Sequence, residues 1–336
     1  MKKLSLTHKI VFVVNNLFAF LLLLSYLTVF ISPAKYPISG ILNFSIPFLW
    51  IVNGIFLLFW ILNLKKQFLL SFLTIALGWF QFQNLFSFSN DSIKNENAIK
   101  ILSYNVRQFY SLKSRHESTY ANINEIVIKN KADIVCFQEF RKSNEHLFPN
   151  HEYKVINKDS VNIKTVVVSK HPIINSKFYG FGKSNNSAVY ADITVKEDTI
   201  RVFSTHFESL NLNQDLKKLK DEPNRKLVRR LSRTFKRQIE QIKELEKDII
   251  NSPYPVVFSA DVNNTALSYL YRYISNLELK DTFSESEDFY GSSFTFFKLP
   301  VRIDMIFTSQ EFTILNFRRI NENYSDHRPV MAEISL

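Results

Sequence analysis

The sequence predicts two parts: three membrane-spanning helices, followed by an α/β domain of two packed sheets flanked by helices. Three observations lead there. No acidic residue precedes Asp91, and Phe, Leu, Ile and Val dominate that stretch. Within it, three charge-free apolar segments follow one another, each about as long as a bilayer-crossing helix. After it, short apolar runs alternate with charged segments, and several of those runs end in a polar residue.

The expected spans cover residues 10–31, 41–64 and 68–86. The first is too long for a signal-peptide core and lacks a small-residue cleavage site. Trp50, Trp60 and Trp79 fall near expected membrane interfaces. Lys2, Lys3 and Lys9 precede the first span, and Lys65 with Lys66 fill the connection between the second and third. The first loop holds only Lys35. The positive-inside rule then places the amino terminus and the second loop in the cytoplasm. An odd number of spans leaves the remainder outside, as in an integral protein of a bacterial inner membrane with an extracytoplasmic domain. Residues 1–89 form the anchor in this reading, and residues 90–98 belong to a polar linker rich in Ser and Asn that opens at Ser87. Residues 99–336 form a soluble domain long enough to bury a two-layer core.

In that domain Lys100 to Val106 alternates apolar and polar residues and reads as a strand. Ala121 to Asn130 carries helical spacing through Ile123, Ile126 and Val127. Ala132 to Phe137 is a nearly continuous apolar run, the pattern of a strand buried on both faces. Residues 165–169, 188–195, 199–205, 255–258, 301–308 and 330–334 are further strands, and a long helix spans Arg225 to Ile250. The one cysteine, Cys136, excludes an internal disulfide framework and sits in an apolar run as a buried thiol.

The net charge of +11 is unevenly spread. Lys217, Lys218, Lys220, Arg225, Lys226, Arg229, Arg230, Arg233, Lys236 and Arg237 lie in one block against Asp221 and Glu222. That block is either a solvated helical face or a surface for phosphate groups.

The strand ends carry the chemistry. Asn105 follows Leu-Ser-Tyr, Glu139 follows Cys-Phe-Gln, and His206 follows Phe-Ser-Thr. Asp261 and Asn263 follow Val-Val-Phe-Ser-Ala, Asp304 lies in Arg-Ile-Asp-Met-Ile-Phe, and Asp326 with His327 precedes the last strand. One such residue is ordinarily a turn former or a helix cap. Carboxylates, amides and imidazoles recurring at strand ends point instead to one sheet edge where they converge.

The ordered segments LSYNVRQF, DIVCFQEF, VVVSKHPI, FSTHFES, VVFSADVNN, RIDMIF and SDHRPV resemble the endonuclease/exonuclease/phosphatase superfamily, from Ile101 to the carboxy terminus. The departures are small: Ala260-Asp261-Val262-Asn263 stands where the family has Gly-Asp-Phe-Asn, and a glycine that opens the third segment is absent. The resemblance implies a four-layer α/β sandwich of the deoxyribonuclease I type and a metal-dependent phosphoester hydrolase. It implies that Glu139, Asn105 and Asp326 hold Mg²⁺ or Mn²⁺, hard cations that suit oxygen ligands. Asp304 then orients His327, which serves as general base or as phosphate ligand. Asp261 aligns or deprotonates the attacking water, while Asn263 and His206 donate hydrogen bonds to the transition state, His206 alternatively acting as general acid toward the leaving oxygen. Asn105, His206 and Asn263 are thereby also substrate-binding residues, and Arg302 is structural.

Loops set the substrate in such a fold. Phosphodiester hydrolysis of the nuclease kind draws on the basic block, and a phospholipid or phosphoinositide reading draws on the membrane tether. An inactive membrane-anchored binding protein is the third alternative, and the complete set of polar groups counts against it.

Overall fold

The computed structural model describes residues 4–88, 95, 97–114, 116–141, 148–156, 163–182, 184, 186–210, 224–286, 288–296 and 299–336. Lys217, Lys218, Lys220, Asp221 and Glu222 of the basic block lie outside them, as does most of the expected linker.

Helices α1 (Leu6–Thr28) and α2 (Ile38–Leu62) form an antiparallel hairpin. Each is long and apolar enough to cross a bilayer, and only 28% and 22% of the respective spanning windows are buried, unlike a core helix. Polar contacts hold the pair to the next segment. The Trp60 indole donates to Asn15 Oδ1 at 2.9 Å, and Asn15 Nδ2 donates to Ser71 Oγ at 2.8 Å. Such bonds are a usual means of fixing apolar helices to one another.

The expected third spanning helix is not found. Its residues form two short helices, α3 (Phe68–Ala76) and α4 (Trp79–Gln83). The nine residues of α3 reach only about 14 Å, half the thickness of a hydrocarbon core. The break falls at Leu77–Gly78, where a Cβ on Gly78 would run into the Tyr26 phenol of α1. Close approach to α1 thus demands a poor helix former at that point. The segment's end packs on the domain: Asn84 O accepts a 2.7 Å bond from Arg302, and Ser87 N donates to Phe289 O at 3.1 Å.

The rest is a mixed α/β sandwich. One sheet contains, in chain order, β1 (Ile99–Asn105), β2 (Ile134–Arg141), β3 (Tyr153–Val155), β4 (Ile163–Ser169), β13 (Thr313–Arg319) and β14 (Val330–Ser335). Its spatial order is β13-β14-β1-β2-β4-β3. The second holds β5 (Ile173–Gly180), β6 (Ser187–Val195), β7 (Asp198–His206), β8 (Val256–Asp261), β9 (Lys280–Asp281) and β12 (Asp304–Thr308), ordered β5-β6-β7-β8-β12-β9. A hairpin of β10 (Phe294–Phe296) and β11 (Leu299–Val301) stands apart. The expected strand over 301–308 is therefore split at Arg302 and Ile303, because the Arg302 side chain turns into a buried ion pair.

Alternation along the strands builds three cores. Ile101, Cys136, Val202, Val257 and Ile306 meet between the sheets. Their neighbours Leu102, Val135 and Phe137 turn outward to Ile123 and Val127 of α5 (Tyr120–Lys129). Phe203, Phe258 and Phe307 turn the other way, to α6 (Asn224–Ile250) and α7 (Tyr269–Ser275). That last core also takes in Leu22, Tyr26, Ile46 and Leu49 of the apolar hairpin. A Cβ on Gly40 of α2 would lie 2.5 Å from the Phe235 ring of α6, so the apolar hairpin and the domain are in direct contact.

One buried histidine gives the sandwich a pH dependence. The His151 ring donates from Nε2 to Ala132 O at 3.1 Å, and burial lowers its pKa from 6.5 to about 4, against the opposing pull of that bond. Between those values the unfolded chain binds the proton and the folded chain does not. The stability that neutral His151 supplies is therefore complete above pH 6.5 and is lost as pH falls toward 4, by up to about 3 kcal/mol. Thermal melts at pH 7 and pH 4.5 should show a smaller drop for His151→Gln, which keeps a donor but does not titrate. An equal drop would assign the acid sensitivity elsewhere.

Candidate active site

The same alternation delivers the functional groups. On β1, β7, β8 and β12 the inward rows run Ile101-Ser103-Asn105, Val202-Ser204-His206, Val257-Ser259-Asp261 and Asp304-Ile306, so each charged or amide group is the last inward position at one edge of the sandwich. A polar layer lies beneath them. Ser259 Oγ donates to Ser103 Oγ at 2.7 Å, and Gln138 Nε2 bonds Ser103 Oγ and Ser204 Oγ at 3.4 and 3.3 Å. Strand pairing sets His206 and Asp304 on either side of Asp261.

Glu139 reaches the site by a different device. Cys136 and Gln138 point inward, so strict alternation would turn residue 139 toward α5. The pairing of β2 with β4 slips between Phe137 and Phe140, and Glu139 adopts φ +51°. This bulge re-aims the carboxylate into the cleft. A left-handed non-glycine residue inside a strand is strained, and such strain concentrates at functional sites. Asn263 is left-handed as well, at φ +49°.

Seven of the eight predicted site residues line one cleft of about 230 Å³: Asn105, Glu139, His206, Asp261, Asn263, Asp326 and His327. The eighth, Asp304, is fully buried behind His327. Asn105 Nδ2 donates to Asp261 Oδ2 at 2.9 Å and to Glu139 Oε1 at 3.3 Å, while its Oδ1 accepts from Arg107 N at 3.1 Å. Asp261 Oδ1 accepts from Asn263 N at 3.0 Å, and Asn263 Nδ2 donates to Phe207 O at 2.9 Å. His206 Nε2 lies 3.5 Å from Asp261 Oδ2 and 4.0 Å from Glu139 Oε1. Asp326 Oδ2 is 3.9 Å from Arg107 Nε.

His327 Nδ1 meets both oxygens of Asp304, at 2.9 and 3.1 Å, and its Nε2 lies 3.8 Å from Asp261 Oδ2. Burial would lower the His327 pKa, but the Asp304 and Asp261 carboxylates outweigh it and hold the ring well above the ordinary imidazole value. Burial raises the pKa of Asp261, against the opposing pull of His327 and His206. Asp261, Asp304 and His327 present ligand atoms within 4.8 Å of one another, a trio able to hold a metal ion. Both Asp304 oxygens are spent on the His327 ring, which is the geometry of a proton-holding pair.

The donor set suits a hard divalent cation. Four carboxylates (Glu139, Asp261, Asp304 and Asp326) gather around two imidazoles, and an amide nitrogen bridges two of those carboxylates. Oxygen ligands with surplus negative charge favour such an ion. Arg302 does not reach the cleft; it is buried against Asp281 at 2.7 Å.

Sequence reasoning missed the rim. Phe44 of α2 lines the cleft together with Leu210, Phe294, Phe296, Val301 and Ile303. Phe294 packs on His327 with ring centroids 4.8 Å apart, and Phe44 meets Phe296 edge-on at 5.4 Å. No signal in the sequence marks Phe44, since a phenylalanine in an apolar span needs no further reason to be there.

Comparison with known proteins gives two family matches. Residues 102–327 match the Endonuclease/Exonuclease/phosphatase family, and residues 8–85 match a domain of unknown function, DUF8431. No curated protein sequence matches the chain significantly. Among solved structures, a mannosyl-6-phosphatase from Bacteroides thetaiotaomicron aligns with TM-score 0.53 and 17% identity, over 71% of this chain and 100% of its own. D. rerio TDP2 complexed with single strand DNA product aligns with TM-score 0.53 and 14% identity, over 71% of this chain and 99% of its own. The human Nocturnin catalytic domain with bound sulfate anion aligns with TM-score 0.51 and 14% identity, over 71% and 93%. At such identities the likeness is one of fold.

Proposed function

The chain belongs to the endonuclease/exonuclease/phosphatase family and is a metal-dependent phosphoester hydrolase; from that premise we propose that it cleaves phosphodiesters by direct attack of water on phosphorus. The observation that carries this reading is the convergence of seven polar side chains from both sheets on one cleft, with Asp304 behind them. Glu139 and Asp326 would hold Mg²⁺ or Mn²⁺, and Asn105 spaces Glu139 and Asp261 through the two bonds it donates. The cation would neutralise phosphate oxygens and charge growing on the leaving oxygen. Asp261, fixed by Asn105 and by Asn263 N, aligns the water and takes its proton. Its raised pKa makes it a stronger base than an exposed carboxylate. His327, kept protonated by Asp304, binds a phosphate oxygen through Nε2. Asn263 and His206 donate to the remaining oxygens, where negative charge increases in the transition state.

Residues 99–336 supply this chemistry, residues 1–89 the anchor and residues 90–98 the connection between them. With the third span replaced by two short helices, counting spans no longer fixes the side of the membrane. The lysines still support an extracytoplasmic domain. Lys9 and Lys65 adjoin through His8 Nε2 and Asn63 Oδ1 at 3.3 Å, at the end of the hairpin remote from Gly40 and the domain. A carboxy-terminal alkaline phosphatase fusion, active only outside the cytoplasm, checks that side.

The full-length protein in detergent should hydrolyse bis(p-nitrophenyl) phosphate with Mg²⁺ or Mn²⁺. EDTA should abolish turnover reversibly, and Glu139→Ala should lower it by at least about 100-fold. Turnover that survives EDTA would overturn the assignment.

A further inference from the structure

One wall of the cleft's rim comes from α2 of the apolar hairpin. Phe44 lies six residues into α2, about 9 Å from its first residue Ile38. The 25 residues of α2 span about 37 Å against a hydrocarbon core of about 30 Å. Centred in a bilayer, α2 sets Phe44 about 5 Å inside the hydrocarbon boundary. The cleft therefore abuts the level at which headgroups meet acyl chains.

The face of α2 that carries Phe44 does not stop at the cleft. Phe48, Ile51, Ile55 and Leu58 follow at helical spacing and are 60%, 62%, 61% and 61% exposed. The other side of the helix, with Asn43, Ile46 and Leu49, is buried against the domain and α1, and Gly40, one turn before Phe44 on the stripe's own face, packs on Phe235. A single apolar stripe thus runs from the mid-membrane part of α2 into the catalytic cleft. The β10–β11 hairpin forms the facing wall: Phe296 packs on Phe44, and Leu299 at its tip is 61% exposed. Among the described lining residues there is no Lys or Arg. A nucleic-acid strand is held chiefly by such cations on its phosphates. The cleft offers polar chemistry on its floor and hydrocarbon on its rim, the two ends of an amphiphile.

We propose that the substrate is a lipid phosphoester of the same bilayer, its hydrocarbon chain lying along the Phe44–Leu58 stripe of α2 and its phosphate entering the cleft. The inference rests on the phosphoester hydrolysis proposed above and adds the substrate class. Water attacks phosphorus, the bond from phosphorus to the leaving oxygen breaks, and that oxygen takes up a proton. The hydrocarbon chain takes no part in the reaction and acts only by binding.

The test uses the full-length protein in phosphatidylethanolamine vesicles doped separately with labelled phosphatidylglycerol or labelled phosphatidylinositol, both phosphodiesters. Chain-free counterparts, a single-stranded oligonucleotide and bis(p-nitrophenyl) phosphate are measured alongside. At least one lipid should turn over tenfold or more faster, in kcat/KM, than its chain-free counterpart. Phe44→Ser should lower the ratio of lipid to bis(p-nitrophenyl) phosphate turnover at least tenfold. Phe48→Asn, outside the cleft on the same stripe, should lower that ratio too and serves if Phe44→Ser does not fold. Equal rates with and without the chain, preference for the oligonucleotide, or an unchanged ratio in both variants would overturn the lipid assignment. Hydrolysis of the soluble diester without any lipid turnover overturns this inference alone. No turnover of any compound overturns the catalytic assignment as well.

Discussion

Replacing His327 by alanine is expected to lower kcat by about 10³-fold, the largest catalytic loss of any single change outside the metal ligands. The substitution removes the one buried cation that faces both Asp261 and the phosphate position. It also leaves the fully buried Asp304 carboxylate without its bidentate partner. A melt recorded beside the kinetics separates lost chemistry from lost fold. His327→Gln keeps a donor and should fold better while remaining at least about 100-fold impaired. Asp304→Asn is the milder change, since the hydrogen bonds of the Asp304 carboxylate among the described residues go to the His327 ring, and it should raise KM as the imidazolium loses its counter-charge. If His327→Ala retains more than a tenth of wild-type kcat at saturating metal, His327 is not the phosphate ligand and the assignment of roles is wrong.

The second large effect concerns stability. Asp281→Ala should destabilise the protein by about 3–5 kcal/mol, because it strands a buried guanidinium. Arg302 is wholly buried, with Nη2 at 2.7 Å from both Asp281 Oδ2 and Asn84 O, and its Nε and Nη1 find no hydrogen-bond partner among the described residues. The ring of Phe283 lies 4.4 Å from its guanidinium carbon. Taking away the one carboxylate leaves that charge without compensation. The paired change Arg302→Met with Asp281→Leu should recover most of the loss, since well-packed apolar replacements of buried ion pairs are often neutral or better. Chemical denaturation in detergent measures all three. Equal loss in the single and the paired variant would show that the bond to Asn84, rather than the ion pair, holds this corner.

Much of this arrangement was legible in the sequence because the central strands are buried on both faces. β2 and β8 read as apolar runs and β1 as an alternating one, and a polar residue at the end of such a strand stands out. The edge strands were not legible for the converse reason. β5 exposes most of its length, and its Asn175, Ser176 and Lys177 mask any alternation. β13 pairs on one side only, so its outer positions are free to be polar. The third apolar segment looked like a span because hydropathy ignores Gly78 and its contact with Tyr26. Glu139 stood out as a strand-end carboxylate, but its turn into the cleft was not legible, since local alternation points it away and the bulge leaves no mark in composition. Phe44 and Phe296 are too far apart in sequence for either to announce the other.

The docking of α4 has a kinetic consequence. Asn84 is bonded to Arg302, Phe86 pairs with Tyr290, and Ser87 is bonded to Phe289 and Ser286. The polar run that follows therefore joins two fixed ends instead of suspending a domain on a tether. A tethered enzyme samples the volume its leash permits. With α1 and α2 in a bilayer as proposed, the domain would keep a single height and tilt over it, and the proposed lipid substrate would arrive by lateral diffusion within the surface. The enzyme's velocity should then track the mole fraction of substrate in the plane, and inert lipid should slow it even when the total amount of substrate per volume is unchanged.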